Sequence, residues 1–259
     1  AMAGVGGSIA FAFGLSMVVG PWLYSTLGLS SLFWFCGLLA LVAALSLLVL
    51  DNRKDQSARI DEEMEDGPWL TDDHRSSLIF ICVGIALNHF VLMAVFLLLP
   101  QLLVKTGLTV GDHGLFYLLV LVLSFILIAW PLAKERRGVT ALSSVWPFPL
   151  MAIAMILLVT EPSLGLLVLA SILLFMGFNF LEASYPSRAT LLASASRRGL
   201  VMGVYSTCQF AGIALGGVVG GFVLSALGGT ALLIVCAVLL VLFTLVEWTA
   251  SRSRLNAGV

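Results

Sequence analysis

The amino-acid sequence predicts an all-α polytopic membrane protein built as a bundle of eight membrane-spanning helices. Of its 259 residues, 60% are hydrophobic and only 10% are charged, and the mean hydropathy is +1.10. The charged residues are also confined to a few short segments. Soluble domains carry about 25% charged residues, so this chain has too little polar surface for a soluble enzyme. A net charge of -1 leaves no basic face for nucleic acid.

The apolar stretches predict the spans in order. Residues 1–50 contain no charged side chain, and because one crossing needs about 20 residues, this stretch predicts two crossings that reverse at 25–31. Six further spans are predicted at Leu78–Leu99, Leu115–Ala133, Val139–Val159, Leu164–Leu181, Leu200–Leu224 and Ala231–Val246. These long runs lack the period-2 alternation of barrel strands, so they are predicted to be helices.

The positions of the basic residues predict the orientation. Twelve of the thirteen Lys and Arg fall in alternate loops on one side, and only Lys105 falls on the other. The twelve are Arg53, Lys54, Arg59, Arg75, Lys134, Arg136, Arg137, Arg188, Arg197, Arg198, Arg252 and Arg254. By the positive-inside rule, we expect both chain ends to lie in the cytoplasm.

An internal repeat organises the chain into parts. A shift of 200 residues aligns Val18-Val19-Gly20 with Val218-Val219-Gly220 and Leu27-Gly28 with Leu227-Gly228. A slip of one helical turn, which lays Gly20-Pro21 on Gly216-Gly217, is an open alternative. Either register pairs the first two spans with the last two, which gives a period of six spans, as in transporters made of two parallel halves.

Eight spans are not a whole number of six-span units, so the chain is predicted to hold only part of such an assembly. Residues 1–50 are expected to be the last two helices of an N-terminal half, and 78–250 a six-helix C-terminal half. Residues 51–77 form a cytoplasmic acidic loop between the halves, and 251–259 a cytoplasmic tail. The expected partners are the lipid bilayer and four missing N-terminal helices, without which we expect the chain to be inactive.

Several segments resemble the major facilitator superfamily. Residues 198–210 (RGLVMGVYSTCQF) resemble the start of its eleventh span, and the glycines of 212–221 follow its pattern. With residues 182–187 (EASYPS), the resemblance is to the YajR-like, drug-efflux-type branch, over spans five to twelve. The resemblance implies a transporter with a small-molecule substrate, exported in exchange for protons across the plasma (inner) membrane of a bacterial-type cell.

The resemblance also implies roles for particular residues. Gly14, Gly20 and Pro21 match a fifth-span motif associated with proton-coupled antiporters, although Tyr24-Ser25 departs from it. The cytoplasmic loop motif of the second half is represented by Lys134, Arg136 and Arg137.

Glycine spacing predicts a close helix contact in the seventh span. Gly212, Gly216 and Gly220 recur every four residues, as do Gly217 and Gly221, so one helix face exposes backbone on which another helix can pack. Static packing and sliding during gating are both compatible with this pattern. Pro147 and Pro149 predict a kink in the fifth span.

Six polar residues inside spans are the candidate substrate or proton pathway. Asn88 and His89 lie near the middle of the third span, where an ionisable group suggests a functional site. For His89, proton or substrate binding and a plain inter-helix hydrogen bond remain open, whereas an inter-helix hydrogen bond is favoured for Asn88. Gln209 and Tyr205 are candidates for the cavity wall. Asn179 and Glu182 share a helix face. Glu182 is expected to pair with a loop arginine such as Arg188 as a structural latch, in preference to carrying a proton.

No catalytic set, nucleotide-binding loop or metal-ligand spacing occurs in the sequence, so we expect neither an enzyme nor a cofactor. The four cysteines all fall inside spans, where small apolar filler is the expected role. The leading hypothesis is therefore a secondary transporter, with proton-coupled efflux of small apolar compounds implied by the resemblance. The alternative hypothesis is a membrane receptor or scaffold that no longer transports.

Overall fold

A computed structural model describes the backbone of residues 2–49, 70, 72–136, 145–160, 163–194 and 197–256. Side chains are described over residues 12–48, 70, 74–135, 145–160, 163–194 and 197–250. The central part of the acidic loop therefore lies outside the described residues, as do Arg137 and the side chain of Arg136.

The described chain is helical throughout its regular structure, with no strand in these ranges. The helices are α1 (Met2–Leu27), α2 (Leu29–Val49), α3 (Asp72–Lys105), α4 (His113–Arg136), α5 (Pro147–Val159) and α6 (Leu164–Leu191), followed by the helical run Arg198–Asn256. Gly228 interrupts this last run with φ 85°, so we name its arms α7 (198–227) and α8 (229–256). Within the described residues each predicted span overlaps one of these helices, although α5 covers only Pro147–Val159 of the span predicted at 139–159. The described helices confirm the all-α polytopic fold class.

Five helical runs in the described ranges are long and apolar enough to cross a membrane: Leu29–Leu48, His74–Lys105, Val110–Glu135, Leu164–Leu191 and Arg198–Ala250. The last is 53 residues long, which is enough for two crossings. The apolar segments Ala12–Leu27 and Pro147–Val159 are shorter over the residues whose side chains the structure describes.

Two tight glycine turns join helices within apolar sequence. Gly28 has φ 78°, and its N–H donates to Tyr24 O at 3.0 Å. In the first turn of the next helix, the Ser31 hydroxyl donates to Gly28 O at 2.7 Å. A left-handed residue that satisfies the last carbonyls is a common helix ending, and glycine adopts it without a Cβ penalty. Each turn folds its flanking helices into a hairpin, α1 with α2 and α7 with α8.

The glycine stripe of α7 packs on α3 as the spacing requires. A Cβ atom added at Gly212 would overlap Ala86 O, and one added at Gly216 would lie 2.5 Å from Phe90 O. At Gly220 the added atom would lie 3.3 Å from Ala94 Cα. Both sets of residue numbers rise together in steps of four, so α3 and α7 run parallel with their backbones in close contact.

The predicted second glycine row behaves differently. No described atom lies within 4 Å of a Cβ added at Gly217, and only Leu97 Cδ1, at 4.0 Å, approaches one added at Gly221. Only the face carrying Gly212, Gly216 and Gly220 is therefore covered by α3.

The remaining helices complete one apolar core. α5 packs on α6 and on the Arg198–Asn256 run, and α4 lies between α6 and α1. Phe148, Met151, Phe175 and Phe180 are among the largest fully buried side chains. Outside this core, α2 packs mainly on α1. Most of the described side chains of α2 are exposed.

Several helix ends differ from the sequence prediction. α3 begins at Asp72 and α6 continues to Leu191, so both helices extend beyond the apolar runs that predicted them. The expected kink at Pro147 and Pro149 was wrong, because both residues lie in the first turn of α5. Proline is tolerated there because the first helical N–H groups have no intrahelical acceptor.

Candidate functional site

Three helices bring polar side chains together in the interior of the bundle. His89 of α3, Glu182 of α6 and Gln209 of α7 form a cluster between these three helices. His89 Nε2 lies 3.0 Å from Gln209 Nε2 and 3.4 Å from Glu182 Oε1. Gln209 Nε2 also lies 3.4 Å from Glu182 Oε2. The side chain of His89 is 6% exposed and that of Glu182 is 24% exposed, and the Glu182 Oε1 atom itself is buried.

The second ring nitrogen of His89 is held by its own helix. His89 Nδ1 lies 3.1 Å from Ile85 O, one turn earlier in α3. In the neutral ring, Nδ1–H donates to this carbonyl and Nε2 accepts from the Gln209 amide. In the protonated ring, Nε2–H donates to Glu182 instead. A single nitrogen thus has two alternative partners, and the choice depends on whether a proton is present.

Phe178 of α6 connects the cluster to the first hairpin. Its ring meets the His89 ring edge-on at a centroid distance of 5.3 Å, and it lies 6.1 Å from the ring of Phe13 in α1. An edge-to-face contact at this distance is favourable and fixes the orientation of the imidazole. No sequence signal separated Phe178 from the other fifteen phenylalanines.

Two more candidate residues border the cluster without hydrogen bonds of their own. Asn88 is fully buried and lies beside the Glu182 carboxylate. Neither of its amide atoms has a hydrogen bond of standard geometry, so the inter-helix bond favoured for Asn88 is not found. Tyr205 is 2% exposed, and its hydroxyl is buried without a hydrogen-bond partner. Buried polar atoms of this kind call for an explanation, such as an ordered water or a functional role.

Asn179 does not belong to the cluster, although it shares a helix with Glu182. Its Nδ2 donates to Ser124 Oγ of α4 at 3.0 Å, and Ser124 donates in turn to Leu121 O at 2.8 Å. Asn179 therefore connects α6 to α4, whereas Glu182 faces α3 and α7.

The expected pairing of Glu182 with Arg188 was wrong. Arg188 Nε lies 2.5 Å from Glu135 Oε1 at the end of α4. Arg188 follows Glu182 by six residues, which corresponds to a rotation of about 240° around the helix axis. The two side chains therefore point towards different neighbouring helices. Glu135 lies inside the Lys134–Gly138 motif and could have been recognised there as the only acidic residue of that segment.

The other predicted positions have simpler surroundings. A Cβ added at Gly14 would lie 3.7 Å from Leu121 Cδ1, and nothing described lies within 4 Å of one added at Gly20. Pro21 lies inside α1. Lys134 places its Nζ 3.7 Å from the centroid of the Trp130 ring, a cation–π contact one turn back along α4.

This arrangement defines a class of protein: a multi-pass helical membrane protein with a small polar centre enclosed by its helices. The family model of the Major Facilitator Superfamily matches residues 1–194. The chain belongs to the major facilitator superfamily.

Individual relatives agree with this family. The inner membrane transport protein YajR of Escherichia coli (strain K12) is 31% identical over 226 residues, which cover 86% of this chain and 50% of YajR. An uncharacterised transporter of Buchnera aphidicola subsp. Acyrthosiphon pisum is 24% identical over 219 residues, which cover 83% of this chain and 56% of the relative. The chain thus spans about half the length of the curated relatives that it matches.

Proposed function

We propose that the chain is part of a secondary active transporter, not an enzyme, that exports small, drug-like apolar compounds in exchange for protons. The observation that carries this proposal is the cluster of His89, Glu182 and Gln209 between α3, α6 and α7. Two ionisable side chains in contact inside an apolar helix bundle are costly to maintain, and in membrane proteins such groups mark ion and substrate pathways.

The cluster offers a physical means of coupling. With His89 neutral, its hydrogen bond to Gln209 connects α3 to α7. With His89 protonated and Glu182 ionised, the ion pair connects α3 to α6 instead. A proton therefore changes which helices are held together, and this difference in contacts is what allows a ligand or proton to shift a conformational equilibrium. An apolar compound that occupies the space beside Glu182 would compete with this ion pair. Binding of the compound would therefore depend on the same proton.

The family and the printed name of YajR support the membrane location that we propose, and the internal repeat and the positions of the basic residues support the organisation. Like YajR, the protein would reside in an inner (plasma) membrane, with both chain ends in the cytoplasm. Residues 1–50 would be the last two helices of an N-terminal half, and 78–250 the C-terminal half. Residues 51–77 would form the cytoplasmic loop and 251–259 the cytoplasmic tail, with four further N-terminal helices supplied from outside this chain.

The test uses the complete reading frame that contains these 259 residues, reconstituted into vesicles loaded with a pH-sensitive dye. An imposed pH gradient is expected to drive movement of ethidium, a lipophilic probe, together with a counterflow of protons. Glu182→Gln is expected to abolish both fluxes, because the carboxylate that exchanges the proton with His89 and pairs with the protonated ring is lost. Asp112→Asn is the matched control, since Asp112 is an exposed carboxylate hydrogen-bonded to Thr109 outside the cluster.

Binding of ethidium without movement of either ethidium or protons would contradict the proposal and favour the receptor alternative. The isolated 259-residue chain is expected to be inactive in the same assay. Transport by that chain alone would contradict the need for four further helices.

A further inference from the structure

We infer that the hydroxyls of Tyr205 and Tyr185 conduct protons between Glu182 and the ion pair of Glu135 with Arg188 at the end of the bundle. This inference rests on the proposed proton-coupled function and adds the route by which Glu182 exchanges its proton. The route is proposed to open at the cytoplasmic ends of α4, α6 and α7.

Tyr205 supplies the first step of the route. It precedes Gln209 by four residues on α7, so its side chain lies one helical turn from the cluster on the same face. The hydroxyl is buried and has no hydrogen-bond partner. Glu182, Cys82 and Tyr185 are its titratable neighbours, and Cys82 is itself in contact with Cys208 of α7. Of these neighbours, only Glu182 belongs to the cluster.

Tyr185 supplies the second step. It follows Glu182 by three residues on α6, on the same face, and is 2% exposed. A Cβ added at Gly84 of α3 would lie 3.0 Å from the Tyr185 hydroxyl and 2.8 Å from its ring carbon Cε2. The hydroxyl therefore occupies space that only a glycine leaves open. Gly84 lies one turn from Asn88, which is beside Glu182, so α3 and α6 both place this hydroxyl one turn away from the cluster.

The end of the route is charged. The charged groups near Tyr185 are Glu247 of α8, Arg188 of α6 and Glu135 of α4. Arg188 and Glu135 are paired at 2.5 Å, with side chains 27% and 14% exposed. Phe148 and Phe243 flank Tyr185 within the bundle. Polar groups thus occur in three successive layers: the cluster, the two tyrosines, and the partly exposed ion pair.

A hydroxyl can pass a proton without changing its own charge. It accepts a proton on an oxygen lone pair and releases its original proton to the next acceptor, so each tyrosine is neutral before and after the transfer. Ordered water is a suitable bridge between such groups, since a water molecule makes about three hydrogen bonds to buried polar atoms that otherwise have none. The route thus gives the Tyr205 hydroxyl, which has no hydrogen-bond partner in the described structure, a role in proton transfer.

The test follows the protonation of Glu182 directly. The complete reading frame is reconstituted in sealed vesicles, and a rapid drop in pH is applied from the side of Glu135 and Arg188. Infrared difference spectroscopy records the band of the protonated carboxyl, which is assigned to Glu182 by its loss in Glu182→Gln. Tyr205→Phe and Tyr185→Phe are each expected to slow the appearance of this band at least about tenfold and to leave its final amplitude unchanged.

Phenylalanine keeps the ring and removes only the hydroxyl, so a change in rate without a change in amplitude separates proton conduction from packing. Tyr117→Phe is the matched control, because Tyr117 is a buried tyrosine of α4 whose ring contacts are with Phe96, Phe116 and His113. Unchanged rates in both variants would overturn the route while leaving the role of Glu182 intact. Absence of a Glu182 band in the unmodified protein would overturn the proton-coupled function itself.

Discussion

Gly28 and Gly228 occupy equivalent positions in two helical hairpins 200 residues apart. Their φ angles are 78° and 85°, and each ends one apolar helix and begins the next. The ungapped repeat register aligns these two glycines. A slip of one helical turn would align Gly28 with Leu224, which lies inside α7. The geometry therefore favours the ungapped register, and with it the equivalence of α1 and α2 to α7 and α8.

Replacing Gly228 with alanine is expected to destabilise the protein by about 1 to 2 kcal/mol, because an L side chain is strained at this backbone conformation. Gly37→Ala is the control: Gly37 lies within α2, and no described atom is within 4 Å of an added Cβ. In that helical position alanine is expected to be neutral or stabilising by up to about 1 kcal/mol. Unfolding in detergent micelles measures both variants. Equal stability losses in the two variants would contradict a special role for the positive φ.

The ion pair of Arg188 with Glu135 is expected to be energetically coupled. In a double-mutant cycle, Arg188→Gln and Glu135→Gln should show a coupling free energy of about 1 to 2 kcal/mol, since the two groups are in contact and partly buried. The cycle of Arg188→Gln with Glu182→Gln should give less than about 0.5 kcal/mol, because Glu182 faces α3 and α7 instead. A larger coupling in the second cycle would restore the pairing that sequence spacing suggested.

The lengths of the apolar runs and the glycine spacing were sufficient to predict the described helices and the closely packed stripe of α7, because both depend on local sequence. The partners of charged side chains were not predictable in this way. Glu182 and Arg188 are close in sequence, but α6 directs them to different neighbours, and only the packing of α3 and α7 brings His89 and Gln209 to Glu182. Asn179 illustrates the same limit, since its partner Ser124 lies on α4, 55 residues away.

The α3–α7 contact is expected to tolerate no added side chain on its covered face. Gly216→Ala would place a methyl group 2.5 Å from Phe90 O, and relieving this overlap requires the helices to separate, at a cost of about 1 to 3 kcal/mol. Gly217→Ala, one residue away on the uncovered face, is expected to leave stability unchanged within about 0.5 kcal/mol. Unfolding midpoints compare the two directly, and transport rates show whether the same contact moves during gating. A Gly216→Ala variant as stable as Gly217→Ala would show that α3 and α7 are packed less closely than the structure indicates.

Gly84→Ala tests the space occupied by the Tyr185 hydroxyl. Because the added methyl group would lie 2.8 Å from Cε2 of the Tyr185 ring, the ring must shift, and we expect slower protonation of Glu182 from the side of Glu135 and Arg188. Gly203→Ala is the matched control, since no described atom lies within 4 Å of a Cβ added there. The double variant Gly84→Ala with Tyr185→Phe should protonate no more slowly than Tyr185→Phe alone, because the hydroxyl that the methyl group displaces is already absent. Additive slowing in the double variant would mean that Gly84 affects Glu182 by a path other than Tyr185.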